Sequence, residues 1–240
     1  MHATTIEYSN GSATFIGNLY WDASSTAKRP GIVVFPEAFG LGEHARQRAQ
    51  QLAQLGYVAL AADPHGDGKI FDIANIGPAI QALYADRAEW RSRARAALDA
   101  LLAQPQVDAN NVAAIGFCFG GTTCIELARS GAPLSAIVTF HAGLLAELPE
   151  DAGRIDAKVL ICHGADDPIV KKEMIDAVME EFRRDKIDWQ FNYYGNTVHS
   201  FTNPDESGKF PGFAYNATVA ARAWTAMRNL FDETFASPGI

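Results

Sequence analysis

The sequence predicts an α/β fold, a mostly parallel sheet with helices on both faces. Three observations carry that prediction. Short continuous apolar runs such as Gly31-Ile32-Val33-Val34-Phe35 read as strands buried on both faces, the mark of a parallel sheet. These runs alternate with stretches of helical periodicity. Residues able to do chemistry stand just after the runs, and open α/β sheets hold their ligands beyond the carboxyl ends of their strands. The 240 residues suffice for one core, and with no repeat, low-complexity tract or linker the chain reads as one domain, residues 1–240.

Thr14 to Tyr20 alternates apolar and polar side chains and predicts an early antiparallel strand, followed by a polar loop from Asp22 to Pro30. Gly31 to Phe35 is the first buried strand. The loop Pro36-Glu37-Ala38-Phe39-Gly40 leads to a helix over Glu43 to Leu55 that Gly56 stops. Tyr57 to Ala62 is the next buried strand, ending in the turn-rich Asp63-Pro64-His65-Gly66-Asp67-Gly68. Helices follow from about Ile76 to Tyr84 and from Asp86 to Ala103. A strand from Asn111 to Phe117 leads into a helix from near Thr122 to Arg129. Strands at Ser135 to His141 and Lys158 to Cys162 come next. A helix from Val170 to Arg183, a strand from Asp188 to Tyr194, a loop from Gly195 to Gly212 and a helix from about Tyr215 to Phe235 complete the order.

Composition removes several classes of function. The formal charge of −8 and the lack of a basic stripe argue against nucleic acid as a partner. The basic cluster Arg87 to Arg95 is interleaved with Asp86, Glu89 and Asp99 and reads as a solvated helix face. No apolar run approaches a membrane span, and the first residues show no secretory pattern, so a cytoplasmic location is the expectation. Three cysteines, Cys118, Cys124 and Cys162, are too few for a disulfide scaffold and suit a reducing compartment. The six histidines are scattered without metal-ligand spacing, so no metal and no other cofactor is expected.

Chemistry points to Gly116-Phe117-Cys118-Phe119-Gly120-Gly121. An apolar run, a sharp glycine-flanked turn and a helix read as a nucleophile elbow with Cys118 at its tip and the Phe119 N–H facing any oxyanion formed there. A thiol needs a base to become a strong nucleophile, and usually a carboxylate to orient that base. Both stand after later strands. His199 lies in Asn196-Thr197-Val198-His199-Ser200-Phe201, and Asp166 and Asp167 lie in His163-Gly164-Ala165-Asp166-Asp167-Pro168, with Asp167 preferred. The chain order of nucleophile, acid and histidine is the one α/β-hydrolases use. Among the other histidines, His44 lies in a helix and His163 at a strand end looks structural. His65 and His141, in post-strand loops, are candidates to line a pocket. Cys124 and Cys162 read as small core residues.

With these residues assembled, the chain resembles the dienelactone hydrolase family, the carboxymethylenebutenolidases, a cysteine-nucleophile branch of the α/β-hydrolase fold. The resemblance rests on Phe35-Pro36-Glu37-Ala38-Phe39-Gly40, the Cys118 elbow, Gly164-Ala165-Asp166-Asp167-Pro168-Ile169-Val170, His199-Ser200-Phe201 and Ala221-Arg222-Ala223-Trp224. It implies Cys118 as nucleophile, His199 as base and then acid, Asp167 as its orienting partner, and the N–H groups of Phe119 and Ala38 as oxyanion hole. Phe39, Phe201 and Asn203 join His65 and His141 as expected substrate neighbours. Glu37 matches the family's extra carboxylate, a switch that takes the thiol proton when substrate enters. Its charge, close to the thiol, would disfavour the thiolate at rest. One position departs from the pattern. Family members acting on dienelactone carry an arginine four residues after the catalytic histidine, where this chain has Asn203, which leaves Arg87, Arg91 and Lys209 as cations for a substrate carboxylate.

The resulting expectation is a hydrolase of enol lactones or activated esters, working through an acyl thioester as a monomer or small homo-oligomer. An amidotransferase-type site would want its acid shortly after the histidine, where Phe201 stands. A general esterase or thioesterase of an uncharged substrate, and a non-catalytic small-ligand receptor on the same fold, are the other readings.

Overall fold

The computed structural model describes residues 1–24 and 26–235; the rest of the expected 1–240 domain lies outside the described residues. One eight-stranded sheet runs through them in the order β1-β2-β4-β3-β5-β6-β7-β8. The strands β3 (Arg29–Phe35), β4 (Val58–Ala61), β5 (Val107–Phe117), β6 (Ala136–Phe140), β7 (Lys158–Gly164) and β8 (Trp189–Tyr194) run parallel to one another. At one edge, β1 (His2–Ser9) and β2 (Thr14–Trp21) form a hairpin, and β2 meets β4 antiparallel.

Strand alternation sorts the core into two layers. Val33 and Phe35 of β3, with Val112 and Ala114 of β5, face α3 (Arg87–Leu102), α4 (Phe119–Arg129) and α5 (Lys172–Arg184). Ile32 and Val34, with Ala113, Ile115 and Phe117, face α1 (Glu43–Gln54) and α6 (Ala217–Phe235). Each fully buried Phe or Leu side chain in these layers stabilises the fold by roughly 1.5–3 kcal/mol. The short helix α2 (Ile76–Ala85) contributes Leu83 to a third cluster with Trp90 and Phe119, directly beside the elbow.

Some sequence expectations need correction. The strand β1 went unread because six of its eight residues are exposed, which leaves almost no hydrophobic alternation; it is held by pairing with β2. The strand β5 starts at Val107, not Asn111, since a register shift between Pro30 and Gly31 loops out polar residues that carry no strand signal. The helix α4 starts at Phe119, not near Thr122, its two glycines having masked the helical pattern.

The basic cluster is only partly a solvated face. Arg91 bridges the fully buried carboxylates of Glu126 and Asp151 at 2.7 Å each, and Arg87 reaches Glu126 at 3.1 Å. Glu126 also binds the buried Arg129, which reaches on to Glu181 of α5. Among the described residues, no helix is long and apolar enough to cross a membrane.

Candidate active site

The parallel strands deliver every expected catalytic side chain to one edge of the sheet. Cys118 sits between β5 and α4 with φ 53° and ψ −116°, a conformation that costs a non-glycine residue on the order of 1–3 kcal/mol and that the surroundings must enforce. They do so by contact. A Cβ on Gly116 would stand 2.0 Å from the Gly120 carbonyl oxygen, and one on Gly120 would stand 2.2 Å from that of Phe35, so only glycine admits this close crossing. The Cys118 N–H donates to the Phe140 carbonyl at 3.0 Å, anchoring the turn to β6. The thiol is left half-buried. Phe119 opens α4, so its N–H has no acceptor within the helix and stays available to an incoming oxyanion.

His199 follows β8 and Asp167 follows β7. His199 Nδ1 and Asp167 Oδ2 lie 2.7 Å apart, and the other oxygen, Oδ1, accepts from the Ile169 N–H at 2.8 Å. Asp166 is exposed, which separates the two carboxylates that the sequence left in competition. Burial raises the Asp167 pKa, but the hydrogen bond and charge of His199 hold it below its ordinary value. The His199 ring is 1% exposed, and its Nε2 has no hydrogen-bond partner. Burial opposes its protonation, yet the charge of an ionised Cys118 and the bond to Asp167 prevail and push its pKa up to about 10. The backbone at His199 is clamped between Gly212 and Ala214, both at 3.1 Å. Its ring lies against Phe213 and His141, with centroids 4.8 and 5.1 Å away.

Glu37 follows β3 in the loop Pro36 to Gly40 and is 6% exposed. Its Oε1 meets His44 Nδ1 at 2.6 Å and accepts from Asn203 Nδ2 at 2.9 Å. Burial raises its pKa, and the hydrogen bonds of His44 and Asn203 help bring it below the ordinary value. Arg48 holds His44 in turn, donating to its Nε2 at 3.1 Å from a site where it also binds the Thr202 carbonyl and lies over Trp224. His44 is thus a site residue that its place in a helix concealed.

A cavity of about 280 Å³ opens beside Cys118. Phe39, Ile73, Phe210 and Phe213 form its apolar wall, and Ala38, Glu37 and Glu206 complete a lining that turns almost no polar surface to the space. Of the five side chains expected to touch substrate, Phe39 lines this cavity and the other four do not. His65 binds the Ala38 carbonyl from behind at 2.6 Å, and burial lowers its pKa, so it acts as a neutral donor. His141 is wholly buried, with Nε2 on the Thr202 hydroxyl at 2.7 Å, and its pKa is held far below the ordinary value by burial and by the neighbouring histidines. Phe201 packs into the core against His141 and Tyr194. Asn203 spends its amide on Glu37 and its oxygen on the Asp205 N–H. Ile73, Glu206, Phe210 and Phe213 were not anticipated. They lie in loops, Glu206 in a short 3-10 turn (Pro204–Glu206), where neither periodicity nor a motif marks a residue as facing a site.

The fold and the elbow together define an α/β-hydrolase, one whose elbow residue is cysteine. Its kin are specific. The model of the dienelactone hydrolase family matches residues 17–235, and the chain belongs to that family. Two solved structures superpose with a TM-score of 0.96: one named m3DLH, 62% identical, and a dienelactone hydrolase-like promiscuous phosphotriesterase from metagenomic libraries, 61% identical, each covering 98% of this chain and 99% of its own. A Yersinia pestis protein provisionally named carboxymethylenebutenolidase is 28% identical over 232 residues, covering 87% of this chain and 79% of its own.

Proposed function

We propose that the protein hydrolyses enol lactones or activated esters by a Cys118-His199-Asp167 triad through an acyl-thioester intermediate. One observation carries this reading: His199 is fixed by Asp167 at 2.7 Å while it interacts on its other side with Cys118, a cysteine held at an elbow. His199 takes the thiol proton, and the sulfur attacks the carbonyl carbon while the carbonyl electrons move onto oxygen. The N–H groups of Phe119 and Ala38 receive that oxyanion. Collapse breaks the ester bond, and the proton on His199 passes to the leaving oxygen. Water then attacks the thioester, gives its proton to His199, and releases the acid and Cys118.

Glu37 serves as the resting brake on Cys118. Its charge, kept in place by His44 and Asn203, disfavours a thiolate nearby, and substrate entering the cavity it lines displaces that balance. The resting partners of Glu37 are the His44 ring, itself held by Arg48, and the Asn203 amide.

The experiment is hydrolysis of p-nitrophenyl butyrate by wild type and by Cys118→Ala. Loss of at least about a thousandfold in kcat/KM with fold retained supports the triad. Unchanged turnover removes Cys118 from the mechanism. A second reading, phosphotriester hydrolysis at the same site, is favoured by the 61% identity to the structure named for that activity, and paraoxon belongs in the same assay. Ligand binding without turnover of any of these substrates would instead favour the receptor reading.

A further inference from the structure

The cavity beside Cys118 is unbalanced in charge. Glu37 has its charge answered by His44 and Asn203. Glu206 does not. It is 6% exposed, its Oε2 accepts only from the Ser200 hydroxyl, at 2.5 Å, and among the described residues no lysine, arginine or histidine forms an ion pair with it. Ser200 stands in the left-handed region, at φ 56°. The cations that sequence offered for a substrate carboxylate are placed elsewhere. Arg87 and Arg91 are committed to Glu126 and Asp151. Lys209 does not line the cavity that holds Cys118; it shares with Glu206, Phe39, Ile73 and Phe210 an adjoining cavity of about 290 Å³, where it forms no ion pair with Glu206.

The remaining wall is aromatic. Phe39 and Phe210 stack at 6.2 Å, and Phe210 meets Phe213 edge-on at 5.1 Å. Aromatic faces are electron-rich and attract cations, and a carboxylate behind them adds to that attraction. We propose that Glu206 sets the charge preference of the site, so that the acyl group accepted next to Cys118 is cationic or uncharged and a carboxylated one is rejected. This deepens the ester-hydrolase reading and rests on it for the word acyl. Burial and the Glu37 charge raise the Glu206 pKa, so the assay belongs near pH 8.

The test uses three p-nitrophenyl esters with one leaving group and nearly one shape: the 4-(trimethylammonio)butanoate, the uncharged 5,5-dimethylhexanoate and the glutarate monoester. Wild type is expected to favour the cationic over the neutral ester, and the neutral over the anionic, by about tenfold each in kcat/KM, roughly the change that one partly screened charge contact makes. Glu206→Gln is expected to shrink both ratios to within about threefold of unity. Wild type that hydrolyses the anionic ester at least as well as the neutral one overturns the proposal, as does a Glu206→Gln enzyme that keeps the wild-type ratios.

Calorimetric binding of neopentyltrimethylammonium to wild type and to Glu206→Gln gives a readout that needs no turnover. No hydrolysis of any ester together with Glu206-dependent binding of this cation would sink the hydrolase reading and keep the charge preference. Hydrolysis of the neutral ester without cation binding does the reverse. If Glu206→Gln does not fold, competition decides: the cation is expected to inhibit wild type at least tenfold more tightly than its neutral isostere 2,2,4,4-tetramethylpentane, and equal inhibition overturns the proposal.

Discussion

In the proposed mechanism three side chains decide how Cys118 behaves: His199, Asp167 and Glu37. Beside an ionised Cys118, His199 has a pKa raised from 6.5 to about 10, so its protonated form is stabilised by folding once the thiol proton has moved to it. The sign follows from linkage: that contribution is fully present below pH 6.5 and is lost as pH rises through about 10. The melting temperature of wild type should therefore exceed that of His199→Gln by more at pH 6 than at pH 10.5, as thermal unfolding of both proteins would measure. In the same proposal Glu37 acts oppositely on the thiol. Glu37→Gln removes the nearby negative charge, and alkylation of Cys118 by iodoacetamide at pH 7 should quicken by roughly threefold to tenfold, the size of a modest shift in thiolate population. Unchanged alkylation would mean that Glu37 does not restrain the resting cysteine.

At the scale of elements, the elbow is where sequence and structure agree most closely, because close backbone crossing demands glycine and so writes itself into the chain. Gly116→Ala should cost about 1–3 kcal/mol or abolish folding, since the new methyl would stand 2.0 Å from backbone that cannot yield as a side chain would. Chemical denaturation measures this, and a variant as stable as wild type would show that the crossing tolerates more space than the contact allows. The buried parallel strands were legible for a similar reason: apolar on both faces, they appear as unbroken runs. The edge strand β1 was not, having mostly exposed side chains. His44 and Arg48 were also invisible. Helical spacing announces a buried face but not that one ring on it turns to meet a carboxylate from another loop, as His44 does with Glu37 across seven residues.

Across the whole molecule, the sheet order explains why residues spread from Glu37 to His199 meet. The parallel strands β3, β5, β7 and β8 end on one edge, so the loops that follow them carry Glu37, Cys118, Asp167 and His199 to a common place. That convergence could be read from chain order alone. The cavity wall could not. Glu206, Phe210 and Phe213 come from a loop whose course depends on contacts such as Ser200 to Glu206 and His199 to Gly212 and Ala214, which have no local sequence signature. Charge at long range was likewise hidden, since Arg91 and Arg129 meet acids on other elements, Glu126 and Asp151 for the first and Glu181 for the second.

The account stands on a covalent bond at Cys118, and that bond can be weighed. Wild type and His199→Gln would be mixed with p-nitrophenyl butyrate, quenched in acid within milliseconds to seconds, digested and analysed by mass spectrometry. The expected result is a butyryl mass increment on the peptide holding Cys118, short-lived in wild type and, for whatever fraction the variant acylates, persistent in His199→Gln because water activation is lost. Release of p-nitrophenol by wild type at steady state with the increment absent from that peptide, or present on another residue that the turnover requires, would contradict it.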